Sequence, residues 1–431
     1  MGILIKGGRV IDAASSTDQI LDVYLEGTTI RKIGENLEGT ADDRIIDASG
    51  QVVMPGIVDL HVHFRDPGLL YKEDIETGSK AAARGGVTTV VAMPNTVPVI
   101  DTPDRLMYVK NKAMQVSDIH VLQAGSMTLG EKGEELSDIE GMAKAQVPAL
   151  SEDGKSVMNS RVCKEAMKLA AKYHIPILSH CEDIDLRGNG CMNDDENAIR
   201  LGLPGISNSV EDVITARDIF LAMETGAHLH LCHCSTMGVA KMMQILKAQG
   251  IQNVTAEVCP HHFILSTDDI PCDDPNYKMN PPLRTRKDVE ALIKGLQDGS
   301  FDAISTDHAP HSAQDKAGSM KTAAFGIVGL ETSLALTYTY LVEKGVLSMV
   351  QMVEKMCYNP ARILGIDCGR LQEGKPADVI VVNTDQEYTI DKNKFASKGR
   401  NTPFDGWKVK GKVLYTICDG RIVYGGDCND Q

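Results

Sequence analysis

From about residue 56 to residue 365 the chain alternates between two hydrophobic rhythms. Short apolar runs, "GIVDLHVHF", "VTTVVAM", "IHVLQAG", "VPALSED", "IPILSHC", "HLHLCHC", "NVTAEVC" and "DAISTDH", have the length of buried strands. Between most of them lie segments such as "RVCKEAMKLAAKYH", "VEDVITARDIFLAMETG" and "RKDVEALIKGLQDG". In these, apolar residues recur three and four apart, the spacing of one helix face. Eight strands alternating with helices over ~300 residues predict a TIM-like (β/α)8 barrel. A doubly wound open sheet is the alternative, but the Gly-x-Gly-x-x-Gly phosphate loop it would carry after its first strand is absent.

The flanks carry a different pattern. "ILIKGGRVID", "LDVYLEGTTIRKIG" and "RIIDASGQVVMPG" at the start, and "KPADVIVVN" and "GKVLYTICDGRIVYGG" near the end, read as short strands punctuated by glycine turns. The fold class expected is therefore α/β. A barrel over 56–365 carries its active site at the C-terminal rim, and a small β-sandwich domain is built from both chain ends, 1–55 plus 366–431.

Composition narrows the partners. With 44 basic and 59 acidic residues the net charge is −15, and aromatic residues make up only 4%. Neither a basic face nor a stacking platform for nucleic acid is present. No run approaches ~18 apolar residues, so no membrane span is expected. The start "MGILIKGGRVIDAASS" lacks the apolar core of a signal peptide, and the eleven cysteines are odd in number and scattered. This predicts a cytoplasmic protein with reduced thiols.

The chemistry begins in "VDLHVHFRDPG". In a strand, residues two apart share a face, so Asp59, His61 and His63 are expected side by side, as a shared metal ion needs. Further candidates fall at later strand ends: Asp153, His180, His233 and Asp307. Alone, each reads as an ordinary structural residue. Six N and O donors on one rim would be costly to bury without a counter-charge, and one or two divalent cations remove that cost. Four imidazoles and two carboxylates suit zinc, with other divalent transition metals as the alternative, and such an ion lowers the pKa of bound water towards ~7. Asp307 is the candidate base. Cys232 and Cys234 flank His233, but strand alternation points them to the opposite face and argues against thiolate ligation. The same parity sets His228 and His230 towards the helices. His120 and His174 read as structural, and His261 and His262 as loop support or rim residues.

In this order along the chain, "DLHVHFRDPG", "GGVTTVVAMPNT", "LSEDGKSV", "LSHCED", "EVCPHHF", "MNPPLR" and "STDHAPH" resemble the amidohydrolase superfamily, and within it the longer bacterial (class I) dihydroorotases. The resemblance implies a zinc-dependent cyclic amide hydrolase. Its reaction is the reversible interconversion of N-carbamoyl-L-aspartate and (S)-dihydroorotate in de novo pyrimidine (UMP) biosynthesis. It assigns His61, His63, Asp153, His180, His233 and Asp307 to one or two Zn2+ per subunit, with Asp153 as the bridging ligand. Many members of the superfamily carry a carboxylated lysine at the end of strand four; here Asp153 stands there and leaves the metal number open. The resemblance also implies a homodimer and an association with aspartate transcarbamoylase.

The same resemblance places His63, Arg65, Asn95, Asn280, His311, Phe325 and Gly326 on the substrate. Arg65 is suited to a bidentate pair with the substrate carboxylate. Asn95 alternatively serves its turn, and Phe325 the core. The polar loop His311 to Gly326 reads as a mobile cover. Rival readings are a dihydropyrimidinase, an allantoinase, or a non-catalytic scaffold partnering aspartate transcarbamoylase.

Overall fold

The structure, a computed structural model, describes residues 2–425. Positions 426–431 of the expected C-terminal β-segment lie outside the described residues.

Eight parallel strands form in the sequence order: Ile57–Val62, Val87–Ala92, His120–Gln123, Leu150–Ser151, Ile177–Ser179, Leu229–Leu231, Val254–Val258 and Ala303–Ile304. Neighbours pair in register around the ring. The third reaches the fourth through Gly125–Ser126, which continues it beyond Ala124. A parallel bridge from Val62 to His308, with the His63 N–H donating to His308 O at 2.9 Å, closes the circle. A closed ring has no edge strand and rules out the doubly wound sheet.

Alternation then sorts the side chains. Leu60, Val91, Ala149, Leu178, Cys232 and Ala303 pack together inside the barrel, while Val90, Leu150, Ile177, Leu231 and Ile304 turn outward to the helices. The helix Ser160–Tyr173 starts where Asn159 Oδ1 accepts the N–H groups of Arg161 and Val162. It buries Cys163, Ala166, Met167 and Ala170, and stops at His174 in the left-handed region (φ 55°). The helix Arg286–Asp298 likewise buries Val289, Leu292 and Leu296. Truncating the fully buried Leu292 to alanine costs roughly 2–5 kcal/mol at such a site.

The two chain ends meet in one mixed sheet. Val379–Asn383 lies antiparallel between Val52–Pro55 and Lys412–Cys418. Ile3–Asp12 runs parallel to Val52–Pro55 and Arg44–Asp47 and antiparallel to Thr17–Glu26. A bulge between Ile5 and Gly8 splits these pairings. Any Cβ at Gly8 would lie 2.4 Å from Val53 Cγ2, so only glycine fits. Ile5, Val10, Val23, Val53, Val381 and Ile417 form a core separate from the barrel's. Among the described residues no helix is long and apolar enough to cross a membrane.

Candidate metal centre and substrate cleft

Four imidazoles and two carboxylates converge where the barrel strands end. His61 Nε2 lies 3.0 Å from Asp153 Oδ1 and 3.7 Å from Asp307 Oδ1. His63 Nε2 is 3.1 Å from Asp307 Oδ1 and 3.5 Å from Asp153 Oδ2. His180 Nδ1 and His233 Nε2 are 3.0 Å apart, and each is 3.7 Å from Asp153 Oδ1. All six residues are buried. His61–His63–Asp307 and His61–Asp153–His233 each bring three donor atoms within 4.8 Å of one another.

The backbone aims several of them. His233 (φ 35°) and Asp307 (φ 49°) leave the strand conformation at the rim, and Arg65 (φ 59°) does so just past the end of the first strand. Such left-handed non-glycine residues cost on the order of 1–3 kcal/mol each and gather at functional sites. The first strand changes register between Asp59 and Val62. Because of that shift Asp59 does not stand with the two histidines: its Oδ1 accepts the N–H groups of His61 (3.1 Å) and Thr306 (3.2 Å), correcting the expectation from alternation.

Three neighbours fix the imidazole tautomers. The amide of Asn95 donates to Asp153 Oδ2 at 3.0 Å while its Oδ1 meets His63 Nδ1 at 3.0 Å. His63 Nδ1 thus carries the proton, and Nε2 faces the carboxylates with a lone pair. Glu182 Oε2 lies 3.2 Å from His180 Nε2, so Nδ1 of that ring faces inward. Glu257 lies 3.5 Å from His61 Nδ1 and 3.0 Å from His230 Nε2. Glu182 and Glu257 were not read from the sequence. Glu182 stands two residues beyond His180 in "LSHCED", and Glu257 shares the inward parity of Thr255 in "NVTAEVC".

His230 is a correction. It is fully buried and bonds Thr255 Oγ1 (2.9 Å) and Glu257 inside the barrel, not the helices. His228 meets Thr255 Oγ1 as well, at 3.3 Å. Cys232 also faces inward beside His61 and Glu257, because the turned backbone at His233 breaks the alternation that had set the two apart. Burial and the Glu257 charge push its thiol up to about 12, so it stays protonated. His262 Nε2 donates to Pro281 O at 2.9 Å and supports the "MNPPLR" loop. At the other end of the barrel, His120 Nε2 sits 3.3 Å from Asp378 Oδ2.

Burial favours protonated carboxyls, but here the imidazoles prevail. Asp153 is held well below the usual carboxylate range by His61, His233 and His63 against that burial. Against the same burial, Asp307 is lowered by the imidazoles of His63, His61 and His233 around it. His63 and His233 are pushed down by burial and stay neutral. Both nitrogens of His61, Asp153 Oδ1 and His233 Nδ1 are buried without a hydrogen-bond partner. Of these, His61 Nε2 and Asp153 Oδ1 face each other within the cluster, and with the imidazole nitrogens and carboxylate oxygens beside them they fit a divalent cation.

Beside the cluster, Arg65 Nε donates to Pro310 O at 3.4 Å and Nη2 lies 3.4 Å from His311 Nε2. His311 Nε2–H donates to Phe325 O at 2.7 Å, and Lys72 Nζ donates to Nδ1 at 3.3 Å. Burial and the charges of Arg65 and Lys72 push this imidazole down to about 2, so it is neutral. Asn280 Nδ2 donates to Glu182 Oε1 at 2.9 Å. Phe325 is half-buried, Gly326 buried. The loop between His311 and Gly326 is tied down: Met320 is fully buried beneath it and its N–H donates to Asp273 Oδ1 at 2.6 Å.

A model of the amidohydrolase family matches residues 52–423. The dihydroorotase of Acetivibrio thermocellus is 46% identical over 423 residues, covering 98% of each chain. That of Clostridioides difficile is 47% identical over 422 residues, 98% of this chain and 99% of the other. Among solved structures, the L-hydantoinase (dihydropyrimidinase) of Arthrobacter aurescens superposes with a TM-score of 0.87 at 27% identity, over 98% of this chain and 96% of that one.

Proposed function

The chain belongs to the amidohydrolase family, and we infer that it hydrolyses the cyclic amide of (S)-dihydroorotate to N-carbamoyl-L-aspartate, reversibly, within pyrimidine biosynthesis. The convergence of His61, His63, Asp153, His180, His233 and Asp307, with unpartnered buried atoms on His61, Asp153 and His233, carries this reading. These six residues would hold the cation, with Asp153, whose two oxygens face different imidazoles, suited to bridging. The donor set suits Zn2+, one or two per subunit. A cation bound there supplies Lewis-acid activation of water and of the ring carbonyl.

The chain's own groups do the rest. The Asp307 carboxylate, kept ionised by its imidazole neighbours, accepts the proton of the attacking water and hands it to the departing ring nitrogen. In ring closure it takes the proton from the ureido nitrogen. Arg65 pairs with the substrate carboxylate, Asn95 and Asn280 border the same cleft, and His311 with the backbone of Phe325 and Gly326 meets the ring. His63, next to Asp307, touches both water and substrate. A homodimer, a cytoplasmic site and an association with aspartate transcarbamoylase belong to the same reading through the resemblance to class I dihydroorotases.

The test is ring closure of N-carbamoyl-L-aspartate before chelation, after it, and after zinc add-back. Activity should vanish and return. A rate indifferent to chelation, or none with dihydroorotate in either direction, would overturn the reading. Size-exclusion chromatography with light scattering, alone and with aspartate transcarbamoylase, tests the assembly.

A further inference from the structure

The cover over the cleft is held by an ammonium group that has no carboxylate within ion-pair distance among the described residues. Lys316 Nζ donates to Ala324 O at 2.9 Å, Gly326 O at 2.9 Å and Lys278 O at 3.1 Å. Three carbonyls use every donor an ammonium has. The N–H of Gly326 returns to the same Lys278 O at 3.0 Å. From the other side, Lys278 Nζ donates to Ala323 O at 2.6 Å and stands 4.1 Å from the centre of the Phe325 ring. Asn401 Nδ2 adds a second donor to Gly326 O at 3.0 Å.

The outcome is selective. In the run Ala323 to Gly326, the carbonyls of 323, 324 and 326 are each taken by a lysine. Phe325 O is the exception, and it faces His311 Nε2. At Gly326 the backbone is at φ 125°, and a Cβ would meet the Ala309 Cβ at 2.5 Å, so the segment lies as close to the barrel rim as a chain can. Burial and the nearby Lys278 charge draw Lys316 down to about 7. Placing a cation here is unfavourable, which argues for a use beyond packing.

We propose that Lys316 is a positioning residue for the hydrolysis, fixing the backbone of Phe325 and Gly326, and through it His311, against the ring of the substrate. This rests on the dihydroorotate reading above, since it needs that backbone to touch the ring. Lys316→Met keeps the length of the side chain and removes all three donors. The expected result is a rise of about tenfold or more in KM for dihydroorotate, with a smaller change in kcat, as lost ground-state contacts require. Metal content and unfolding midpoint stay at wild-type values, while amide hydrogen exchange across 323–326 quickens. Lys316→Gln, which retains two donor hydrogens, should fall between.

Unchanged exchange in Lys316→Met would show that the lysine does not fix the segment. Faster exchange with a wild-type KM would show that its order does not serve the substrate. Loss of metal or of the fold in both variants would make the lysine a scaffold residue. Each of these outcomes overturns the proposal. If the wild-type protein hydrolysed a different cyclic amide, the substrate reading would fail, and exchange together with KM on that amide would still judge Lys316.

Discussion

His61 Nε2 and Asp153 Oδ1 face each other across 3.0 Å, both buried, without the alignment of a hydrogen bond. Buried this close with no hydrogen bond between them, the ring nitrogen and the carboxylate oxygen lack a partner unless a positive charge stands near both. The arrangement is maintained by Glu257 behind His61 and Asn95 behind Asp153, and four predictions follow from the groups around it.

Asp307→Asn removes the proton acceptor but keeps a ligand-sized side chain beside His63. Turnover should fall by about 10²–10⁴, the range of a positioned base, with most of the metal retained. Steady-state rates and metal analysis of the same preparation check this, and full activity would dismiss Asp307 as the base.

Arg65→Met should weaken the acidic substrate far more than an uncharged cyclic amide. Losing one partner of a buried charged pair costs about 2–5 kcal/mol, at least ~30-fold in kcat/KM. Dihydroorotate and dihydrouracil supply the comparison. Equal losses on both would remove the carboxylate clamp.

Glu257→Gln leaves the ligands intact but loosens the hold on His61 and His230. Burial alone would raise this carboxyl, yet the hydrogen bond from His230 and the imidazole of His61 close by keep it well below the usual range, so it serves as an anion. Metal affinity should drop by about 10–100-fold, the usual effect of removing a partner behind a ligand. Competition against a chelator series measures it.

Glu131 gives a pH signature. Burial, with the charges of Glu152 and Asp153, pushes it up to about 9, so the folded protein keeps it protonated at neutral pH. Its folded value lies above its unfolded one. The associated stability is therefore full below the ordinary glutamate range and declines as pH rises from about 4.5 towards 9. Glu131→Gln should cancel that decline: its advantage in unfolding midpoint over the wild type grows between pH 5 and pH 9. A constant difference across the range would contradict the assignment.

Hydrophobic rhythm made the eight barrel strands readable, because parallel strands buried on both faces are near-continuous apolar runs. The candidate donor positions at strand ends were readable for the same reason, each lying just past such a run. Parity failed at Asp59, His230 and Cys232, where a register shift and a left-handed rim residue redirect side chains. Glu257 is not legible because its partners His61 and His230 come from other strands, and pairing across strands is invisible along one. Glu182 stands two residues from His180 with nothing in the run to mark it as that ring's partner. The lysine grip on Ala323 to Gly326 is made through backbone carbonyls, which no sequence pattern advertises.

Val379–Asn383 fills the gap between Val52–Pro55 and Lys412–Cys418. A ribosome therefore releases Val52–Pro55, and most of the barrel, long before the neighbour that covers it has been translated. Until then that strand presents naked amides and carbonyls to other nascent chains. Any shortened product ending before Val379 keeps this adhesive border for its lifetime, whatever the state of its catalytic rim.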